Sequence, residues 1–167
     1  MIKRIIEQRI QEKLGTGKVI ILLGARQTGK TTILNKMFGA EKDILWLNGD
    51  DPEHKTQLYK ASSEKLRNII GGRSTVVIDE AQKFEDIGIT LKLIVDNIKG
   101  IQVIATGSSS FELANRLNEP LTGRKWEYRI FPMSQAELSS HNGYLQERSL
   151  LKQRLVYGQY PEIINNP

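Results

Sequence analysis

A segment near the start of the chain has glycines, a lysine and hydroxyl residues at the spacing Gly-x-x-x-x-Gly-Lys-Thr: Gly24, Ala25, Arg26, Gln27, Thr28, Gly29, Lys30, Thr31 and Thr32. This spacing is typical of a loop whose backbone N–H groups surround phosphate groups, because the glycines let the backbone approach closely. In such a loop the lysine contacts the β and γ phosphates of a nucleotide, and the hydroxyl after it is a ligand of Mg²⁺. We therefore predict that residues 24–32 bind a nucleotide, with Lys30 acting in catalysis and Thr31 on the metal.

Two adjacent carboxylates follow a short apolar run at residues 76–78. Ligands of open parallel sheets bind at the carboxyl ends of the strands, so a strand ending here would deliver both side chains to a ligand. Asp79 is predicted to hold Mg²⁺, directly or through water, and Glu80 to act as the general base that polarises a water for attack on the γ phosphate. The alternative interpretation is an Asp-Glu pair that only caps the end of a strand.

Hydroxyl side chains follow another apolar run at residues 106–110, where a threonine and a glycine precede three serines. We select Ser108 as the residue that contacts the γ phosphate or orients the attacking water. The alternative is that Ser109 or Ser110 caps a following helix, since serine is a favoured N-cap residue.

An arginine next to a glycine precedes the last predicted strand. Arg124 is predicted to serve as an arginine finger that stabilises charge in the transition state, either in its own chain or from a neighbouring subunit. Arg116 and Arg129 are the rival candidates, and a solvated loop arginine is the alternative interpretation. His54 and His141 have no partner at the spacing of metal ligands, so we expect surface or capping roles for them.

The elements that must position these residues follow from hydrophobic periodicity. Apolar runs with β-branched residues predict five strands, at 18–23, 43–48, 75–78, 101–106 and 126–131. Helical patterns lie between them, at 2–14, about 30–38, 52–70, 87–98 and 111–117. Strands that alternate with helices imply right-handed crossovers and a parallel sheet covered on both faces. The predicted fold class is α/β, with a five-stranded parallel sheet of the P-loop NTPase type.

The domain organisation is predicted to be one core and a short appendage. Residues 1–133 form the core, which begins with the amphipathic helix 2–14, and residues 134–167 form a helical extension. Ser134 and Glu137 have the spacing of a capping box that opens the first helix of this extension, and a second helix is predicted at about 145–156. We interpret the extension as the start of a lid or of a following domain.

Composition excludes several classes of protein. The chain has 167 residues and no cysteine, which excludes disulfide scaffolds, thiolate metal sites and thiol nucleophiles. Its longest apolar run, 19–23, is far shorter than the roughly 20 residues that cross a bilayer. We therefore expect a cytoplasmic protein without a membrane partner.

The positive charge of the chain is concentrated at its start. The net charge is +5, and residues 1–30 contain seven Lys or Arg against two Glu. A basic surplus is typical of proteins that bind nucleic acid. Two of these charges, Arg26 and Lys30, belong to the phosphate loop, so the indication of a nucleic-acid partner is weakened. Contact with nucleic acid through the helix 2–14 stays open beside the alternative of a solvated helix face.

Six segments in this order resemble a known family: GARQTGKTT (24–32), VVIDEAQ (76–82), IATGSSS (104–110), LTGR (121–124), FPMSQAEL (131–138) and GQYPEII (158–164). Together they resemble the AAA-like P-loop ATPase domain of bacterial and archaeal proteins whose function is largely unassigned. The resemblance covers nearly the whole chain. Members of that family usually continue into a further domain that looks nuclease-like, so the chain corresponds to the ATPase core of such a protein or to a shortened member.

The resemblance implies a role for each matching residue: Lys30 and Thr31 in the first motif, Asp79 and Glu80 in the second, Ser108 in the sensor region and Arg124 in the Gly-Arg element. It also implies ATP as the nucleotide and Mg²⁺ as the metal. A homo-oligomer and a protein partner are both compatible with this family, because the fold and the loop do not determine what the nucleotide drives.

The residues favour an ATPase over three alternatives. A GTPase is disfavoured because the chain has no Asn-Lys-x-Asp motif to recognise guanine. A small-molecule kinase needs an acceptor pocket and usually an Arg-rich lid, and residues 111–130 hold only three arginines. A nucleotide-gated interaction module that hydrolyses slowly or not at all is the main alternative, because an isolated core often lacks the finger or partner that accelerates hydrolysis.

Overall fold

A computed structural model of the chain describes residues 2–108 and 117–165. Within them the strands form one five-stranded sheet in the order β2-β3-β4-β1-β5, and every pair of neighbours is parallel. The strands are β1 Val19–Gly24, β2 Ile44–Asn48, β3 Thr75–Asp79, β4 Gln102–Gly107 and β5 Lys125–Ile130. The α/β class and the five-stranded parallel sheet are therefore confirmed.

Helices cover both faces of this sheet. Those in the described residues are α1 Ile5–Gln11, α2 Lys30–Phe38, α3 Pro52–Leu58, α4 Ser63–Ile70, α5 Ile87–Asn97, α6 Gln135–Asn142, α7 Tyr144–Ser149, α8 Leu151–Tyr157 and α9 Pro161–Asn165, with a 3-10 turn at Ala81–Lys83. None of the helices in the described part of the chain is long and apolar enough to cross a membrane.

The inner strand β1 shows why both faces of the sheet must be covered. Its six residues are all buried, because β4 and β5 flank it and side chains alternate between the faces of a strand. Ile21 packs in the cluster that α4 and α5 cover, whereas Ile20 and Leu22 pack in the cluster that α1 and α2 cover. The phosphate loop therefore leaves the sheet from a strand whose residues are all buried.

Three predicted helices differ in extent from the observed ones. The predicted helix 52–70 is two helices, because Lys60 has a φ of 45° and Ser62 caps a new helix by accepting a hydrogen bond from the Lys65 N–H. The predicted helix 145–156 is likewise interrupted, at Leu150. Helix α1 is shorter than the predicted 2–14. The predicted helix 111–117 falls almost wholly outside the described residues.

Two buried ion pairs hold the helices that follow β5. Arg4 pairs with Glu137 at the start of α6, with 3.0 Å between Nε and Oε1. Arg154 pairs with Glu147, with 3.0 Å between Nη2 and Oε1, and the Glu147 side chain is fully buried. The predicted capping box of Ser134 and Glu137 is also present. The pKa of Glu147 is held below its usual value, chiefly by the hydrogen bond from Arg154, which outweighs the opposing effect of burial.

The lowered pKa of Glu147 predicts a specific loss of stability in acid. A carboxyl whose native pKa is depressed stabilises the fold above its unfolded pKa of about 4.3, and this contribution disappears as the pH falls through the native value. We expect Glu147→Gln to lower the free energy of unfolding by about 2 kcal/mol at pH 7. The difference in unfolding free energy between wild type and variant should shrink as the pH falls below about 4.3 and through the lowered native pKa of Glu147. Urea unfolding at pH 7 and at a series of acidic pH values measures this difference, and a difference that stays constant over the series would contradict an ionised pair.

Candidate functional site

The phosphate loop connects the end of β1 to the start of α2, and its backbone shape depends on its glycines. A Cβ on Gly24 would lie 2.5 Å from the Ile130 carbonyl oxygen of β5, so only glycine fits there. Gly29 opens α2 with a φ of +89°, in the left-handed region that glycine adopts without strain. The Thr28 hydroxyl donates to the Ala25 carbonyl at 2.9 Å and closes the loop. The loop thus ends at a helix N-terminus, which favours bound anions.

Lys30 is a buried cation inside this loop. Its Nζ donates to the carbonyl oxygens of Gly24 and Ala25, both at 2.8 Å, and the residue is 6% exposed. Burial lowers the pKa of Lys30, and the nearby carboxylates of Glu80 and Asp79 act in the opposite direction. The ammonium is therefore held by the loop backbone, within the electrostatic influence of the two carboxylates.

The two predicted Mg²⁺ ligands lie in contact with each other. The Thr31 hydroxyl donates to Asp79 Oδ2 at 2.8 Å, which joins the first turn of α2 to the last residue of β3. Hydroxyl and carboxylate oxygens are the hard ligands that Mg²⁺ prefers, and this metal usually takes one or two protein ligands together with substrate phosphates. Elsewhere in the described ranges no cluster of three His, Cys, Asp or Glu side chains is placed to hold a metal. The donor set of Thr31 and Asp79 therefore fits Mg²⁺.

Glu80 occupies a strained position directly after β3. Its φ is 51°, a left-handed conformation that costs a non-glycine residue about 1 kcal/mol or more. Its Oε2 accepts a hydrogen bond from Gln82 Nε2 at 2.5 Å, and Gln82 Oε1 accepts one from the Ser108 N–H at 3.3 Å. Strained backbone of this kind persists where the surrounding structure fixes it, often at functional sites.

One cavity at the carboxyl ends of the strands is lined by several of the predicted site residues. Its volume is about 320 Å³, and its lining is mostly polar. The lining residues are Arg26, Gln27, Gly29, Lys30, Thr31, Thr32, Asp50, Glu80 and Lys83. Lysine, hydroxyl, carboxylate and backbone N–H groups thus converge on a space next to a helix N-terminus, which is the arrangement of a nucleotide phosphate site.

A family model described as an AAA domain matches residues 16–139, which is most of the chain. The chain belongs to this AAA domain family. The match includes the phosphate loop, Asp79, Glu80 and all five strands, and it ends within α6. The resemblance drawn from the sequence motifs is therefore confirmed at the level of the family.

The curated proteins that this AAA domain matches include uncharacterized proteins of bacteria and archaea. An uncharacterized protein of Methanocaldococcus jannaschii is 25% identical over 177 residues, covering 96% of this chain and 39% of that protein. The curated relatives matched here are thus much longer, and the chain spans between a quarter and two fifths of their length.

Solved structures share the fold of this AAA domain. A Walker-type ATPase of Pyrococcus abyssi superposes with a TM-score of 0.60 at 18% identity, covering 92% of this chain and 59% of that one. The Orc1 protein of Aeropyrum pernix, solved in complex with DNA, gives a TM-score of 0.57 at 14% identity, covering 89% of this chain and 50% of that one. These similarities establish the P-loop NTPase fold.

In the hydroxyl-rich segment 106–110, the side chain that contacts Asp79 is that of Thr106, whereas Ser108 is the residue predicted from the sequence. The Thr106 hydroxyl of β4 donates to Asp79 Oδ1, and the Glu80 N–H donates to Asp79 Oδ1 and to the Thr106 hydroxyl, at 3.1 and 3.3 Å. Ser108 approaches the site through its backbone N–H, which binds Gln82. Ser109 and Ser110 lie outside the described residues. Thr106 therefore supports the carboxylate pair, and the role predicted for Ser108 stays a prediction.

We expect Thr106→Val to raise the Mg²⁺ concentration for half-maximal nucleotide binding about tenfold, because groups that orient a metal ligand commonly contribute this much. Valine keeps the shape of the fully buried threonine but cannot hydrogen bond to Asp79. A Mg²⁺ titration of nucleotide binding measures the effect. Thr122→Val is the control, since the Thr122 hydroxyl binds the Asn118 carbonyl away from the cavity. Equal Mg²⁺ requirements in both variants would contradict the role of Thr106.

Arg124 lies at the opposite edge of the sheet from the phosphate loop. It directly precedes β5, whose first residue, Lys125, pairs with Val19 at the start of β1. The loop begins at Gly24, roughly 17 Å further along the strands. The Arg124 Nε instead donates to Asp96 Oδ1 of α5 at 2.8 Å. Arg124 therefore lies away from the phosphate loop of its own chain, and its predicted role as an arginine finger, in its own chain or on a neighbouring subunit, stays a prediction.

Two features beside the loop were missed in the sequence. Arg4 is buried, and its Nη1 donates to the Thr28 carbonyl of the loop at 3.0 Å. A second cavity, of about 240 Å³ and mostly apolar, adjoins the loop; its lining residues are Ile2, Arg4, Glu7, Gly29, Thr32, Ile33, Lys36, Met133 and Pro161. No sequence signal distinguishes Arg4 from the exposed basic residues of an amphipathic helix, because its partners lie far away in the chain.

Proposed function

We propose that this AAA domain binds ATP with Mg²⁺ and hydrolyses it to ADP and phosphate. The observation that carries the proposal is that Lys30, Thr31 and Glu80 line one cavity at the carboxyl ends of β1 and β3, where Asp79 accepts a hydrogen bond from Thr31. Each of these groups suits one requirement of phosphoryl transfer, which is mainly positioning and stabilisation of charge.

The loop amides and Lys30 would bind the β and γ phosphates, and Thr31 and Asp79 would hold Mg²⁺ against them. The metal would neutralise charge on the phosphate oxygens. Glu80 accepts a proton from water as the water oxygen attacks the γ phosphorus, and the bond between that phosphorus and the bridging oxygen breaks to release ADP. Glu80 lines the cavity that contains Lys30 and Thr31, which supports this role.

The apolar cavity beside the loop is proposed to take the adenine base. It shares Gly29 and Thr32 with the phosphate cavity, so one ligand can extend from one cavity into the other. Ile2, Met133 and Pro161 supply apolar surface for a flat ring. The basic residues at the start of the chain support the same ligand, since Arg26 and Lys30 belong to the loop and Arg4 binds its backbone. They indicate a nucleotide more directly than a nucleic acid.

The nucleotide-gated interaction module is the second candidate, and two observations favour it. The Glu80 carboxylate is held by Gln82, and Arg124 lies away from the loop of its own chain. In this alternative the domain binds ATP and changes shape, and hydrolysis is slow until a neighbouring subunit or partner completes the site.

Phosphate release from ATP, measured with and without Mg²⁺ over a range of protein concentrations, tests the proposal. We expect Mg²⁺-dependent release, and a rate per subunit that rises with concentration would support a site completed between subunits. An Arg124→Ala variant should then lose the concentration dependence and retain ATP binding. ATP binding without release at any concentration would favour the gated module. Absence of ATP binding would overturn both candidates.

A further inference from the structure

A buried arginine connects the phosphate loop to two other parts of the chain. Arg4 uses three nitrogens for three partners: Nε donates to Glu137 Oε1 at 3.0 Å, Nη1 to the Thr28 carbonyl at 3.0 Å, and Nη2 to the Phe131 carbonyl at 2.8 Å. The side chains of Arg4 and Glu137 are 7% and 6% exposed. A planar guanidinium with all three directions occupied has one orientation, so its partners are held in one arrangement.

Glu137 is itself fixed at the start of helix α6. Its Oε1 also accepts a hydrogen bond from the Ile5 N–H at 2.8 Å, and its Oε2 accepts from the Ser134 N–H at 2.8 Å and the Ser134 hydroxyl at 3.0 Å. Burial opposes ionisation of Glu137, but these hydrogen bonds and Arg4 together hold its pKa below the usual value. A displacement of α6 therefore displaces the partner of Arg4.

The contact with Thr28 bears on the Thr28–Gly29 peptide at the N-terminus of α2. In a trans peptide the C=O and the following N–H point in opposite directions. When Arg4 holds the Thr28 oxygen, the Gly29 N–H is directed away from Arg4. Gly29 is the N-cap of α2 and lines both cavities, so the orientation of its N–H affects any anion bound at the helix N-terminus.

We propose that Arg4 and Glu137 form a positioning pair through which the helices after β5 control nucleotide affinity. Docking of α6 sets the orientation of the Thr28–Gly29 peptide, and by thermodynamic linkage a bound nucleotide stabilises the docking of α6. This proposal rests on the proposed nucleotide site. It assigns no chemistry to either residue, since both act through the backbone of the loop.

The apolar cavity provides a second connection between the same elements. Its lining combines Gly29 and Thr32 with Met133 and Pro161, which belong to the chain after β5. The Met133 N–H also donates to the Gln159 carbonyl at 2.9 Å, which joins the start and the end of that region. A ligand in this cavity would contact the loop and the later helices at once, in agreement with the linkage through Arg4.

Glu137→Gln tests the pair, and Glu147→Gln is its matched control. Both substitutions neutralise a buried glutamate that pairs with an arginine, but the Glu147 pair contacts no loop residue among its hydrogen bonds. The first measurement is amide hydrogen exchange of residues 25–31 in the nucleotide-free protein. The second is the affinity for Mg²⁺-ADP by calorimetry, and urea unfolding records the overall stability of each variant.

We expect Glu137→Gln to accelerate exchange in the loop and to weaken Mg²⁺-ADP binding about tenfold, as expected for loss of a charged hydrogen bond. Glu147→Gln should change neither the exchange rate of the loop nor the affinity for Mg²⁺-ADP, although its loss of overall stability should be similar to that of Glu137→Gln. Arg4→Lys, which keeps the charge but loses the planar fork, should behave like Glu137→Gln and replaces it if that variant does not fold.

If both glutamine variants changed hydrogen exchange in the loop equally, or if neither changed it, the proposal that Arg4 and Glu137 position the loop would be refuted. The exchange measurement decides this without nucleotide, so it stays informative even if the wild type binds no ADP. A wild type that binds Mg²⁺-ADP while Glu137→Gln binds it equally well would leave the nucleotide site intact and refute only the linkage.

Discussion

Replacing Lys30 with methionine is expected to raise the dissociation constant of Mg²⁺-ATP at least about 100-fold, because hydrogen bonds from a cation to phosphate are among the strongest that proteins make. The ammonium lies inside the loop, where it donates hydrogen bonds to the carbonyls of Gly24 and Ala25. Methionine fills most of the volume of the buried side chain, so the loss reflects charge more than packing. Calorimetric titration with a non-hydrolysable ATP analogue measures it.

Lys125→Met is the matched control for this experiment. Lys125 begins β5 at the end of the sheet far from the loop, and its Nζ pairs with Glu127. We expect its effect on nucleotide binding to be small, since it lines neither the phosphate cavity nor the apolar cavity. Comparable losses in the two variants would indicate that general positive charge governs affinity and would contradict a specific role of Lys30.

Replacing Glu80 with glutamine is expected to separate hydrolysis from binding. Loss of a general base typically slows the chemical step by 10²- to 10⁴-fold, so we expect single-turnover hydrolysis to fall about 1,000-fold. The dissociation constant of Mg²⁺-ATP should change less than about threefold, because phosphate binding depends on Lys30 and the loop. Phosphate release from excess enzyme and a binding titration measure the two quantities.

Glu85→Gln provides the control for Glu80, since Glu85 lines a different cavity together with Lys55 and Tyr59. It should hydrolyse ATP at the wild-type rate. Unchanged hydrolysis in Glu80→Gln would exclude Glu80 as the base. If the wild type itself shows no hydrolysis, the gated module becomes the better description, and nucleotide-dependent partner binding that survives Glu80→Gln would support it.

Much of the site follows from one rule about parallel strands. Because their carboxyl ends share an edge, a motif that follows one strand and a carboxylate that ends another must meet, and Thr31 and Asp79 do so. The same rule predicts that Arg124 lies far from the phosphate loop. Arg124 precedes its strand, and residues that precede parallel strands lie at the far edge of the sheet.

Other features depended on tertiary packing that periodicity does not contain. The sequence indicated hydroxyls at the end of β4, but the choice of Thr106 required the knowledge that β4 lies beside β3. Arg4 is a still clearer case, because it pairs with a residue 133 positions away and its sequence environment is that of a solvated helix. Interruptions of helices, such as the one before Ser62, were also missed because capping competes with continuation of the helix.

The close approach of Gly24 to β5 means that the conformation of the phosphate loop depends on a strand outside the loop. Its first residue pairs with Ile130, and the space that a side chain would need is occupied by the main chain of that strand. A deletion that shifted β5 by one residue would alter the loop although every loop residue stayed the same. Grafting this loop into another protein would therefore require its neighbouring strand as well, although more than a hundred residues separate the two in the chain.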